Sequence, residues 1–223
     1  MARAPRLKNR AMVALSRGDM AECVANGSVL VIDPGSGASS LPGYAVFFRG
    51  HRVESGVIEV GPPSRPLRER LAELNRTLRE DLGPPPNPDA PDADWDCVII
   101  EDIPTKRYGS KSGKGGRELK TASMAGQVTL HRAVGAILAG VRTKHELYIH
   151  PSTWHAHVGP DYQKSDEGDS IAMGEVAIRM ARSIIQARLQ RRGAPNCRKP
   201  AKKKPKPPAP PFPKKKAQPE GAA

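Results

Sequence analysis

Apolar residues fall along this chain in two rhythms. Val29-Leu30-Val31-Ile32 and Cys97-Val98-Ile99-Ile100 are short unbroken runs, the pattern of buried strands. Gly43–Arg49 and Arg52–Val60 read as two further strands around the turn Arg49-Gly50-His51, with β-branched and aromatic residues supporting the assignment. Leu67, Leu71, Leu74, Leu78 and Leu82 recur at spacings of three and four, the stripe of an amphipathic helix over 67–82. The stretch 83–91 holds five prolines and reads as a surface linker. A fourth strand is expected over 95–103, a long helix over 118–141, a short fifth strand over 147–150 and a last helix over 169–189.

The order is therefore β-β-β-α-β-α-β-α. Short connections make the first three strands antiparallel, and the later alternation implies a mixed five-stranded α/β sheet with helices on its faces. In such a sheet the first and fourth strands can lie side by side.

Charge divides the chain unevenly. Of a net +13, residues 191–223 contribute +10, from eleven Lys/Arg against one Glu. That segment is rich in Lys and Pro, which forbids a packed core and suggests an extended tail suited to polyanions. Three units are expected: a basic N-terminal arm over 1–27, a folded domain over 28–190 and the basic tail over 191–223. Nucleic acid is a better partner for the tail than a membrane, because no apolar face accompanies the lysines. Cys23, Cys97 and Cys197 lie far apart without a Cys-x-x-Cys pair, so neither a disulfide framework nor a zinc ribbon is indicated. A reducing cytoplasm is the simplest compartment. No apolar stretch approaches the roughly 18 residues of a membrane span, and Ala11–Leu15 is too short for a convincing signal peptide.

Against this frame four acids stand out. Asp33 closes the first apolar run and is followed by Pro34-Gly35; Glu101 closes the run at 97–100; Asp166 and Asp169 open the last amphipathic segment. Carboxylates at strand ends suit a hard divalent cation, and two such cations can clamp the attacking and leaving oxygens of a phosphodiester. The plainer readings are a turn residue at Asp33 and dipole-compensating acids at 166 and 169. Asp102 competes with Glu101, since a one-residue shift reverses the face. A spacing of three puts Asp166 and Asp169 on one helical face; Glu167 is expected to point elsewhere, into solvent.

Taken together, Val29–Gly35 with Gly43-Tyr44-Ala45-Val46, Val98-Ile99-Ile100-Glu101, Ala125-Gly126-Gln127-Val128, and Asp166-Glu167-Gly168-Asp169-Ser170-Ile171-Ala172 resemble, in order, the motifs of RuvC-type Holliday junction resolvases. The match spans about residues 29–187. The resemblance implies a ribonuclease H-like fold and a structure-selective DNA endonuclease that cuts four-way junctions or related branched DNA. It implies two Mg2+ ions, with Mn2+ able to substitute. Asp33 would bridge both ions, Glu101 would complete one site, and Asp166 with Asp169 the other. Symmetrical cutting of a junction implies a homodimer; no small-molecule cofactor or membrane is implied. Two departures stand out: Ser170 occupies a position usually held by Ala, and the stretch 151–165, with Trp154, His155 and His157, is short and leaves a family helix in question.

Residues 106–117 carry five positive charges directly after Glu101. Lys106, Arg107, Lys111, Lys114 and Arg117 could grip phosphates and Tyr108 could stack on a base; a solvated loop is the plainer reading. Lys164 could contact the scissile phosphate. His155 and His157 lack a third soft ligand, and Trp154 reads as a packing residue at the sheet end. Two other classes fit part of the pattern: an ATP-binding protein of the actin/sugar-kinase superfamily, whose first phosphate loop follows a similar strand, and a non-catalytic DNA-binding module.

Overall fold

The computed structural model describes residues 10–35, 41–84, 94–102, 124–159 and 162–193. The basic residues from Lys106 to Arg117, Tyr108 among them, and the tail from 194 onward lie outside these. Five strands, β1 (Ser28–Asp33), β2 (Gly43–Phe48), β3 (His51–Val57), β4 (Cys97–Glu101) and β5 (Glu146–Ile149), form one sheet in the order β3-β2-β1-β4-β5. β1 pairs antiparallel with β2 and β2 with β3, while β1/β4 and β4/β5 are parallel. This is the mixed five-stranded α/β sheet expected from the sequence, with helices on both faces. β2 and β3 turn through Arg49 and Gly50, both at positive φ (51° and 73°), as a two-residue hairpin requires.

Strand alternation sorts the core into two layers. On one face, Leu30, Ile32, Val98 and Ile100 pack with Leu74, Leu78, Ile137 and Val141, contributed by α3 (Leu67–Glu80) and α4 (Met124–Gly140), and by Val141 just beyond α4. On the other, Val29, Val31, Cys97 and Ile99 pack with Met173, Val176, Ala177 and Ala181 of α6 (Asp166–Gly193). Trp154 from the short helix α5 (Pro151–His155) joins this second layer.

Three expectations change. Residues 10–26, assigned from their charge to an arm, form helices α1 (Arg10–Leu15) and α2 (Met20–Asn26). Their Ala11, Leu15, Ala21, Val24 and Ala25 are buried against the α6 face, and Arg10 and Arg17 are balanced by Asp19 and Glu22, so the basic excess lies ahead of these helices. The stretch 151–165 holds a helical turn that a five-residue pattern could not announce. The last helix starts three residues earlier than expected, at Asp166, with the Asp169 N–H already bonded to the Ser165 carbonyl.

Glycines stand where α6 meets the sheet, at Gly43 and Gly174. A Cβ on Gly174 would meet Phe47 Cε2 at 2.3 Å and Val31 Cγ2 at 3.0 Å; one on Gly43 would meet the Asp166 carbonyl oxygen at 1.9 Å. Helix propensity alone would make Gly174→Ala stabilising by about 1 kcal/mol. The steric contact reverses the sign, and overpacking of this kind costs about 1–3 kcal/mol. Urea unfolding of Gly174→Ala should therefore show a lower midpoint than the parent chain; a higher one would contradict the close seating of α6.

Candidate metal centre

Two strand ends and one helix start build the site. In β1, Val29 and Val31 face α6 while Leu30 and Ile32 face away, so period two carries Asp33 to the α6 side. In β4 the same count carries Glu101 to that side and Asp102 to the other. Ile32 pairs with Ile100 in parallel register, which sets Asp33 and Glu101 on adjacent strands at the same end of the sheet. The register thus settles which of the two neighbouring acids faces the cluster, and it is Glu101.

Asp166 and Asp169 arrive with the first turn of α6. Gly43 stands opposite Asp33 in the β1/β2 ladder, and the missing side chain admits the Asp166 carbonyl. Ser170 completes the join: its hydroxyl accepts from the Asp33 backbone N–H (3.1 Å) and donates to the Asp166 carbonyl (3.1 Å). The residue that departs from the resembled motif is thus fully buried and holds strand and helix together. The Gly35 N–H donates to Asp33 Oδ1 at 2.9 Å, which turns the chain away after the strand.

Two further residues orient the acids. Trp154 Nε1–H donates to Glu101 Oε1 (3.3 Å), and the Tyr162 hydroxyl donates to Asp169 Oδ1. Trp154 is buried as its packing role requires, and it also stacks on His155 with ring centroids 3.8 Å apart. Nothing in the spacing of Trp154 or Tyr162 relative to the acids marks these contacts in the sequence. His150 caps α5, its Nδ1 accepting from the Ser152 N–H. Glu167, expected in solvent, instead accepts from the Ser55 hydroxyl of β3 at 2.7 Å. Lys164 is exposed, just ahead of α6.

The electrostatics of the cluster are those of acids without a counter-charge. Among the described residues, no ion pair involves Asp33, Glu101, Asp166 or Asp169. Burial, opposed by the Gly35 N–H and aided by the charges of Asp169 and Asp166, raises the Asp33 carboxyl to about 6. Burial and the neighbouring Asp33 charge raise Glu101 to about 7. Asp166 is raised too, by burial and then by Asp169, and burial with the Asp169 contact pushes the Tyr162 hydroxyl up. Four carboxylates without a basic partner among the described residues fit a divalent ion of the magnesium class. Among the described residues, no three of their ligand atoms lie mutually within 4.8 Å. The acids are near enough to raise one another's affinity for protons, and binding one ion through three of them would need their side chains to draw closer.

No protein-family model matches this chain, and no curated protein matches it. Among solved structures, the crystal structure of the yeast mitochondrial Holliday junction resolvase Ydc2 is similar, with a TM-score of 0.44 and 10% sequence identity over 80% of this chain and 95% of that one.

The raised carboxyls predict a pH dependence. In the metal-free chain, the folded state holds protons on Asp33 and Glu101 that the unfolded state releases, between their ordinary values of 3.8 and 4.5 and the raised values of about 6 and 7. The contribution of these groups to stability therefore falls as pH rises through that window. In EDTA, Asp33→Asn should gain stability over the parent chain between pH 4 and pH 8, as measured by urea titration. Millimolar Mg2+ or Mn2+ at pH 8 should stabilise the parent and leave the variant unmoved. A stability difference independent of both pH and metal would contradict the reading of the cluster as an uncompensated cation site.

Proposed function

We propose that the chain is a divalent-metal-dependent endonuclease acting on branched DNA, four-way junctions above all. The observation that carries this reading is the convergence of Asp33, Glu101, Asp166 and Asp169, from three distant segments, at one end of the sheet with no basic partner among the described residues. A phosphodiester brings its own negative charge, so acids at its binding site are favourable only where cations intervene.

In this reading Asp33, Glu101, Asp166 and Asp169 would together hold the Mg2+ or Mn2+ ions. Bound ions would activate water and stabilise the departing oxygen. The chain's own residues hold the donors in place: Trp154 orients Glu101, Tyr162 orients Asp169, and Ser170 fixes the helix start to the strand. Lys164 and the basic segment Lys106–Arg117, with Tyr108, would meet the DNA backbone, and the tail would add salt-dependent affinity. Coordinated cutting of both strands of a junction would use two copies of the chain.

Labelled four-way junction, flap and duplex DNA, incubated with the purified chain and Mg2+ or EDTA, test this. Metal-dependent cleavage of branched DNA is expected, falling in Asp33→Asn and Glu101→Gln by at least about 100-fold, the scale of losing one electrostatic stabiliser at a reacting centre. Cleavage that survives both substitutions would overturn the mechanism. Turnover of ATP without any cutting of DNA would place the chain with the nucleotide-binding relatives of this sheet instead.

A further inference from the structure

Ahead of the N-terminal ends of β4 and β5, away from the acids at their C-terminal ends, three side chains of unlike chemistry meet. The ligand atoms of Asp19, Cys23 and His145 all lie within 4.8 Å of one another, and His145 Nε2 is 3.1 Å from Asp19 Oδ1. Asp19 is the N-cap residue of α2. An aspartate there ordinarily accepts a hydrogen bond from a backbone N–H in the first turn, yet this one makes no side-chain cap bond. Its carboxylate is turned to His145 instead. The Cys23 N–H bonds to the Asp19 carbonyl at 3.0 Å, so the two side chains stand one helical turn apart on the same face.

His145 is fixed from the sheet side. Its carbonyl accepts from the Val98 N–H and from the Thr143 hydroxyl, both at 2.9 Å. The ring and the thiol are partly buried while the Asp19 side chain is 71% exposed, which leaves one side of the group open to water. A simple His–Asp ion pair would account for two of these residues and for the diverted cap. It would not call for a thiol within ligand reach of both.

We propose that Asp19, Cys23 and His145 form a second metal site, for a transition metal of the zinc class, that staples α2 to the start of β5. Sulfur and imidazole donors select such an ion over magnesium. Bond lengths of about 2.0–2.3 Å in tetrahedral geometry put ligand atoms roughly 3.3–3.7 Å apart. The His145–Asp19 pair is already near that separation, and side-chain rotation closes the rest. Water takes the fourth position on the exposed side. Because α1 and α2 supply Leu15, Ala21 and Val24 to the layer beneath α6, tying α2 down would stabilise that whole layer. The site shares no ligand with the acidic cluster and does not depend on its reading.

Cobalt titration of the full chain, stripped of metal and carrying Cys197→Ser so that the tail thiol cannot contribute, tests the assignment. One Co2+ per chain should bind with a thiolate-to-metal absorption band in the near ultraviolet, displaced by Zn2+ and indifferent to millimolar Mg2+. Cys23→Ser should abolish the band. His145→Ala should weaken Zn2+ binding by more than about 100-fold, beyond the 10–100-fold cost of disturbing an outer-shell partner. Asp33→Asn should leave both intact, and Zn2+ should raise the melting temperature of the parent but not of Cys23→Ser. Circular dichroism verifies that each variant folds. Should a substitution prevent folding, competition of Zn2+ against alkylation of Cys23 in the parent chain reads the same site. Absence of the thiolate band, its persistence in Cys23→Ser, or Zn2+ without effect on that alkylation would overturn the proposal.

Discussion

The seating of α6 on the sheet is the constraint from which the rest of the molecule follows. Gly43 and Gly174 remove side chains where backbone, Phe47 and Val31 would otherwise collide with the helix, and Ala177 and Ala181 continue the close-packed line. Hydrophobic burial along this contact supplies the attraction, but small residues set the distance. That distance decides whether the first turn of α6 reaches the ends of β1 and β4. Ser170 then converts proximity into register, by bonding to one backbone group on each side of the joint.

The acids are oriented by groups that do not neutralise them. An indole N–H and a phenol O–H hold Glu101 and Asp169, and a backbone N–H holds Asp33. Arginine or lysine in those places would have satisfied the carboxylates and removed their appetite for a cation. Neutral donors fix geometry and leave the charge in place. The cost appears in the raised affinity of Asp33 and Glu101 for protons. Burial that would be a defect in a scaffold becomes intelligible at the binding centre proposed above.

Much of this is legible in the sequence, and the reasons differ by element. Unbroken apolar runs before Asp33 and Glu101 announce buried strands, and period two assigns their faces once the strands are paired. The leucine stripe from Leu67 marks α3 because a 3.6-residue repeat sustained over four turns suits neither a strand nor a loop. Residues 10–26 mislead because the basic residues Arg3, Arg6 and Lys8 just ahead of them colour the whole N-terminal stretch, while 10–26 itself is charge-balanced and packs through five small or apolar residues. Trp154 and Tyr162 carry no spacing signal relative to the acids they touch, since the contacts are made across elements. Ser170 is visible as a departure from a motif, yet only the joint between helix and strand accounts for the hydroxyl.

The length of α6 has a geometric consequence. Its 28 residues run from Asp166 to Gly193, and at 1.5 Å per residue that is about 42 Å of rise. The far tip of this stiff helix therefore lies well away from the acids, and the lysine-rich segment follows it in the sequence. On a duplex rising about 3.4 Å per base pair, that offset corresponds to roughly twelve pairs, a little more than one helical turn. In the proposed reading the helix serves as a spacer. The tail would anchor on a DNA arm away from the point of cutting, so the cluster could remain free to close on the branch itself.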